Sequence, residues 1–429
     1  MKHRLTELGK DVLIALLVLA NLVLGIMCLP KKTLTETKWL ASALRPFAGL
    51  FGLNEAELTY TAPATGGTIT GAAQPIAISL NTEAGRQSAQ YDFAALDDLY
   101  GQYGSLLAQA LESAAELQSC TRAQLYAALR ANSAAFCFPG AIAPEVLGVW
   151  LGVRAPEAEA AQWYVLAQEQ DTVTLYLLGQ QCYAAQTDLS SQTFAALQAS
   201  AVPDGSFFAF ESGEAPYSGL DALSLVMAGK TAYIGISANP CDARFISALA
   251  TQTGINPYGD ARYVDNSGAT SFTETGLTLR ISAQGLITLR ITQPDSRYQS
   301  ASVEQSDRIE AARSLISSLT GDAYGDARVY LQTYTQTGND AVCTFAYYLS
   351  GIEVAPQSGA IEIRFSGTQI TQASVPYRVY SLDTQPSALL PAAQAAACLP
   401  DGSSLRLLYA DDGSGQLSLG WRMQQEDGV

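Results

Sequence analysis

The chain has 429 residues and a formal net charge of −16, length enough for about two to four domains with buried cores. Its single histidine is His3, so Ser-His-Asp and Cys-His catalysis and histidine-based metal sites are excluded from the rest of the chain. The acidity also argues against nucleic acid and anionic lipid headgroups as partners.

The first predicted element is a membrane helix. Val12–Leu29 is an 18-residue run, apolar apart from Asn21. At roughly 1.5 Å per residue it reaches about 27 Å, close to the ~30 Å bilayer core, and it lacks a polar face. The run is longer than a usual signal-peptide core, and Ala41-Ser42-Ala43 lies too far downstream to serve as its cleavage site. An uncleaved signal anchor is therefore expected, with residues 1–11 as a cytoplasmic tail. Lys2, Arg4 and Lys10 before it nearly balance Lys31 and Lys32 after it, so flanking charge orients it only weakly. Beyond residue 38 the chain holds 18 basic and 37 acidic residues, and this acidic bulk is placed outside the cell membrane. On the predicted helix Asn21, Gly25 and Cys28 share a face at i, i+4 and i+7. Such a stripe lets a partner helix approach and hydrogen-bond; an Asn merely tolerated near the midplane is the alternative.

Residues 33–155 read as a stalk and a mainly helical domain. A Gly/Thr/Pro loop at 61–75 precedes a strand at Ile76–Leu80. Leu96, Leu99, Tyr100, Tyr103, Leu106, Leu107, Ala110, Leu111 and Ala114 fall on one helical face. Thr121 and Gln124 form a capping-box pattern. Phe136 to Pro139 reads as a buried strand ending at the proline, and Pro144 as the start of a short helix. A middle α+β domain spans 160–268. Its strands are expected at 163–167, 172–178, 207–210, 223–227 and 231–236, and its helices at 191–197 and at 243–249 after an Asp242 cap. The last third reads as two ββαββ modules, 276–355 and 358–429. The first has a hairpin Leu277–Ile291 turning at Gln284-Gly285, a helix through Ile309, Ala312, Leu315, Ile316 and Leu319 stopped by Gly321, and a hairpin turning at Gly338-Asn339-Asp340. The second has a hairpin turning near Gly367, a helix Ala388–Leu399 and a hairpin turning at Asp411-Asp412-Gly413. The fold class expected is α+β, an N-terminal transmembrane helix followed by antiparallel-sheet modules. Tyr-Gly-Asp-Ala-Arg occurs twice, at 258–262 and 324–328, as shared turn chemistry or as chance.

Cys120, Cys137, Cys182, Cys241, Cys343 and Cys398 are scattered without a C-x-x-C pair, so a zinc or redox motif is not expected. They permit three disulfides, with sequence neighbours the best pairs (Cys120–Cys137, Cys182–Cys241, Cys343–Cys398), or six buried thiols.

This order of elements, with Phe136-Cys137-Phe138-Pro139-Gly140-Ala141-Ile142-Ala143-Pro144-Glu145-Val146-Leu147 and Tyr263-Val264-Asp265-Asn266-Ser267-Gly268 leading into the Leu277–Ile291 hairpin, resembles the YycH family and the related YycI. These are membrane-anchored extracytoplasmic regulators of the WalK (YycG) sensor kinase in Gram-positive bacteria. The resemblance implies a non-enzymatic adaptor without cofactor. Its partner would be a sensor histidine kinase, with a YycI-like protein as a second candidate, and its output cell-wall homeostasis. Two other classes stay open: a membrane-anchored envelope enzyme using carboxylates, and a structural or ligand-binding envelope module.

Other motifs are weaker. Gly229-Lys230-Thr231 lacks the earlier glycine of a phosphate loop, since Ser224 stands there. Asp97-Asp98 and Asp411-Asp412 could serve glycosidase chemistry or calcium, but adjacent acids on a helix or turn are usually solvated surface. Phe207, Phe208 and Phe210, and Tyr330, Tyr334, Tyr347 and Tyr348, could line a ligand groove; at strand spacing they are more often core.

Overall fold

The computed structural model describes residues 72–213, 217, 220–227, 232–258, 262–398 and 404–424. They belong to one compact unit, Ile69–Val429, of mixed α+β class with mostly antiparallel sheets. Among the described residues no helix is long and apolar enough to cross a membrane. The expected span Val12–Leu29, with Asn21, Gly25 and Cys28, lies outside them.

The N-terminal half builds a seven-stranded sheet. In chain order it runs β1 (Ala77–Thr82), β2 (Gly85–Gln90), α1 (Phe93–Ser113), β3 (Gln118–Ser119), α2 (Arg122–Arg130), β4 (Ser133–Ile142), α3 (Pro144–Leu151), β5 (Ala161–Glu169), β6 (Thr172–Gly179), β7 (Cys182–Ser190) and α4 (Ser191–Gln198). The strand order is β2-β1-β4-β5-β6-β7-β3. Local chemistry accounts for the helix ends. Asp92 accepts from the Ala94 and Ala95 amides at the start of α1, and Thr121 and Gln124 form the expected capping box on α2. The periodic residues of α1 from Leu96 to Leu111 are buried on the sheet, with Tyr100 half-buried. The opposite sheet face is covered by α2 and by the segment around Phe208, which pack on Ala135, Val165 and Tyr176.

The strand expected to end at Pro139 runs on to Ile142. Its pairing with β5 breaks between Cys137 and Ile142, the stretch in which Pro139 offers no N–H to a ladder. The cysteines also pair otherwise than sequence proximity suggests. Cys120 is bridged to Cys182, 62 residues away, with Cα atoms 5.2 Å apart, while Cys137, Cys241, Cys343 and Cys398 are free. The cause is β3 lying antiparallel to β7, which sets the Cys120 amide on the Cys182 carbonyl at 2.9 Å. Thiol titration of the denatured protein is expected to find two fewer thiols before reduction than after it; equal counts would remove the bridge.

After the short pair β8 (Phe207–Phe208) and β9 (Leu225–Val226) come β10 (Tyr233–Ala238) and α5 (Ala243–Gln252), the latter capped by Asp242 as expected. The C-terminal half adds β11 (Arg262–Val264), β12 (Thr270–Glu274), β13 (Leu277–Ile281), β14 (Leu286–Ile291), α6 (Gln305–Thr320), β15 (Ala327–Thr337), β16 (Asp340–Leu349), β17 (Ile352–Pro356), β18 (Ile361–Ser366), β19 (Gln369–Pro376), β20 (Val379–Pro386), α7 (Ala392–Ala396), β21 (Ser404–Asp411) and β22 (Ser418–Gln424). The expected hairpins form, and Gly321 ends α6 in the left-handed conformation at φ 65°. The expected helix 388–399 contracts to five residues because Pro391 can only begin it. The hairpins share one eleven-stranded sheet, in the order β11-β12-β13-β14-β19-β18-β16-β17-β21-β22, with β15 on β16. The β18–β19 hairpin therefore lies between β14 and β16, interleaving strands that are distant in sequence.

The two sheets share one continuous core, from Ile78 and Phe136 through Tyr347 to Tyr409. Polar clamps ring the joint. Trp150 Nε1 on α3 donates to Glu310 Oε1 on α6 at 2.6 Å, and Arg328 on β15 forms an ion pair with Asp97 on α1 at 2.7 Å. At the joint itself, Gly140 on β4 lies against the backbone of Gln332 on β15.

Candidate functional site

The acid pairs are built into structure. Asp97 binds Arg328 and accepts from Gln74 Nε2 at 3.1 Å, and its hydrogen bonds hold the Arg328 guanidinium above its ordinary pKa. Asp98 is exposed on the same helix. Asp411 departs from the surface-turn expectation and is almost fully buried. It ends β21 pointing inward, where Ser237 Oγ donates to it at 2.9 Å, Tyr380 OH at 3.1 Å and Arg378 Nε at 3.3 Å. Asp412 fits the expectation: it is exposed, and its carboxyl is held low by Ser414. Among the described residues no cluster of His, Cys, Asp and Glu could hold a metal ion.

Most of the candidate aromatics are core. Phe208 lies under the Arg86 guanidinium, 4.5 Å from the ring centre, and Phe210 stacks on Tyr126 at 4.5 Å. Arg86 is itself buried, bound to Glu211 at 2.7 Å and to the Leu129 carbonyl at 3.0 Å. Tyr330, Tyr347 and Tyr348 are buried at the sheet joint. Tyr334 is partly buried and its hydroxyl accepts from Arg308 at 3.2 Å. Gly229-Lys230-Thr231, like Gly259–Ala261 of the first Tyr-Gly-Asp-Ala-Arg copy, lies outside the described residues. In the second copy Gly325 takes φ 72° against the Tyr380 carbonyl, and Asp326 accepts from the Leu382 amide at 3.1 Å.

Phe207 is the exception. It sits edge-on to Tyr217, with ring centres 5.2 Å apart, and both line a groove of 470 Å³ between the end of β2 and the β21–β22 hairpin. Leu390, Leu407 and Trp421 also line it. Trp421 Nε1 donates to the Leu390 carbonyl at 2.8 Å, which fixes the indole as a wall, while the Leu390 side chain is 60% exposed. Among the described residues, no lining side chain carries a formal charge. The volume falls in the range typical of ligand pockets, about 300–1,000 Å³.

Gln90 and Tyr91 line the groove where β2 ends. Tyr91 adopts φ 61°, a strained value for a residue with a side chain. It is held there by Ser350 Oγ, which donates to its carbonyl at 3.1 Å. Burial pushes the Tyr91 phenol up to about 12, partly opposed by Arg406. Burial likewise pushes the nearby Cys137 thiol up to about 12, leaving it a poor nucleophile at neutral pH. Phe207 is among the aromatics that the sequence singles out, but Gln90, Leu390 and Trp421 are not; the last two lie about three hundred residues beyond Gln90, a separation that no local pattern links. No protein-family model, curated protein or solved structure matches the chain.

Proposed function

We propose that the protein is a membrane-anchored extracytoplasmic adaptor that works by protein–protein contact on a two-component sensor histidine kinase of the WalK type. The observation carrying this reading is the groove walled by Phe207, Tyr217, Leu390, Leu407 and Trp421, with no charged side chain among its described lining residues. An apolar surface with a fixed indole and an exposed leucine suits recognition of another chain. The engagement of Asp97 and Asp411 with arginines supports contact over carboxylate chemistry. The Cys120–Cys182 bridge supports an oxidising compartment outside the cytosol.

In this reading Val12–Leu29 spans the membrane, and Asn21, Gly25 and Cys28 meet a helix of the kinase or of a YycI-like protein. The ββαββ units 276–355 and 358–429 contribute to the larger outer sheet. No cofactor, nucleic acid or catalytic residue takes part. The test is kinase phosphorylation in host cells with and without the full-length chain, and with Asn21→Leu/Gly25→Leu. Deletion is expected to change kinase output, and the double substitution to reduce co-purification with the kinase. Unchanged output on deletion, or recovery of the chain from the soluble cytosolic fraction, would overturn the proposal.

A further inference from the structure

The connector between α1 and α2 runs along the outer edge of the seven-stranded sheet. Ser113 Oγ accepts from the Asp188 amide at 3.2 Å, and the Ala115 amide donates to the Gln186 carbonyl at 2.9 Å. Gln118 and Ser119 then pair with Ala184 and Tyr183, and the Cys120 amide meets the Cys182 carbonyl. The connector therefore covers β7 from Asp188 back to Cys182. In the strand order only β3, which is part of this connector, lies beyond β7. Without the cover, the outward N–H and C=O groups of β7 would form an open sheet edge.

The cover is held by little apolar burial. Ala115, Glu116, Gln118 and Ser119 are exposed, and only Ala114, Leu117 and Cys120 are partly buried. Thr121, Arg122, Ala123 and Gln124, the cap and first turn of α2, are exposed as well, and Leu125 is the first buried residue after them. A segment with so few buried contacts and such exposed hydrogen bonds opens more readily than the core. The Cys120–Cys182 bridge ties it covalently to β7, and the exposed residues on both sides of the partly exposed Cys120 leave that end open to approach. The flanks are firm: α1 buries Leu107, Ala110 and Leu111 just before the connector, and α2 buries Leu125 and Leu129 just after it.

We propose that residues 114–124 are a redox-sensitive strap. With the bridge closed the strap masks the β7 edge; with the bridge reduced it lifts, the first turn of α2 unwinds, and the edge stands open. The reductant is a dithiol. Its first thiolate bonds to the Cys120 sulfur and expels Cys182 as a thiolate, which takes up a proton. Its second thiolate closes the dithiol's own disulfide and expels Cys120, which is protonated in turn. Two electrons and two protons pass from the dithiol to the bridge. This inference is independent of the adaptor reading.

The experiment measures hydrogen exchange on the full-length chain in lipid nanodiscs, before and after dithiothreitol, with thiol titration to count opened bridges. Reduction is expected to speed exchange of the 114–124 amides and of the Asp188 amide at least tenfold. Exchange within β5 and β6 is expected to stay unchanged, and tryptic cleavage after Arg122 to appear only in the reduced chain. A Cys120→Ser/Cys182→Ser variant is expected to show the fast exchange without reductant and no response to it, and reoxidation of the parent chain by diamide to restore the slow exchange. Three results would overturn the proposal: a bridge that dithiothreitol does not open in the folded chain, unchanged exchange at 114–124 once it is opened, or an equal rise in β5 and β6. The last would make the bridge a staple of the whole fold.

Discussion

Gly140→Ala is expected to destabilise the protein by about 3 kcal/mol, the upper part of the usual range for overpacking. A Cβ at Gly140 would stand 1.8 Å from the Gln332 carbonyl oxygen and 2.5 Å from its carbonyl carbon. Both are backbone atoms, so no side-chain rotation relieves the clash. Gln332 sits at a bulge of β15, between Leu331 and Thr333, which pair with Phe345 and Thr344 of β16, and Gly140 lies where the pairing of β4 with β5 breaks, between Cys137 and Ile142. Relief therefore requires one of the two backbones to shift, between paired residues on either side and against a continuous core. Gly101→Ala is the control. Gly101 is exposed on α1 with nothing within 4 Å of the added methyl, and alanine there should stabilise the helix by up to about 1 kcal/mol. Urea unfolding midpoints that move in opposite directions for the two variants are the expected result. A Gly140→Ala midpoint equal to that of the parent chain would contradict the close crossing of β4 and β15.

Asp411→Ala is expected to cost about 3–5 kcal/mol, the range for breaking a buried ion pair by removing one partner. The Asp411 side chain is 2% exposed and that of Arg378 8% exposed, so the arginine would be left charged and shielded from water. The loss extends beyond the pair. Ser237 on β10, Tyr380 on β20 and the Gly413 amide, at 2.9 Å, all donate to the same carboxylate. Burial and the adjacent carboxylate push the Tyr380 phenol far above its ordinary range, so it stays a donor at any physiological pH. An Asp411→Leu/Arg378→Met double variant is expected to recover much of the loss, because no uncompensated charge is then buried. Asp412→Ala, one residue away but exposed, is expected to leave the midpoint in place. Equal effects of the Asp411 and Asp412 substitutions would show that the buried network does not hold.

Features that depend on near neighbours were legible. The apolar stripe of α1, the Thr121–Gln124 box, the Asp242 cap and the Gly321 stop all involve residues within about one helical turn of each other. The hairpin Leu277–Ile291 was legible for the same reason, since alternation and a Gly turn mark it. Strands stabilised by distant polar partners were not. β2 reads Gly-Arg-Gln-Ser-Ala-Gln, a sequence with no apolar face. Arg86 and Ser88 are nevertheless buried, because Glu211, Asp204 and Ser206 come from more than a hundred residues away to satisfy them. Arg308 is a similar case. It precedes the apolar Ile309 on α6 and is fully buried, its guanidinium donating to the Gly367 and Asn339 carbonyls at two hairpin turns.

The amino-acid sequence by itself determined the α+β class, most helix ends and most hairpins, because capping, periodicity and turn chemistry act over a few residues. It also determined the acidity and the absence of an imidazole beyond His3. The tertiary structure alone decided that Cys120 meets Cys182, that β18–β19 inserts between β14 and β16, and that Asp411 is buried while Asp412 is not. It alone brought Gln90, Phe207, Leu390 and Trp421 around one groove. Each of these follows from strand pairing and sheet packing between segments far apart in the chain. A local pattern carries no record of which distant strand lies alongside, and one step along a strand separates a buried carboxylate from a solvated one.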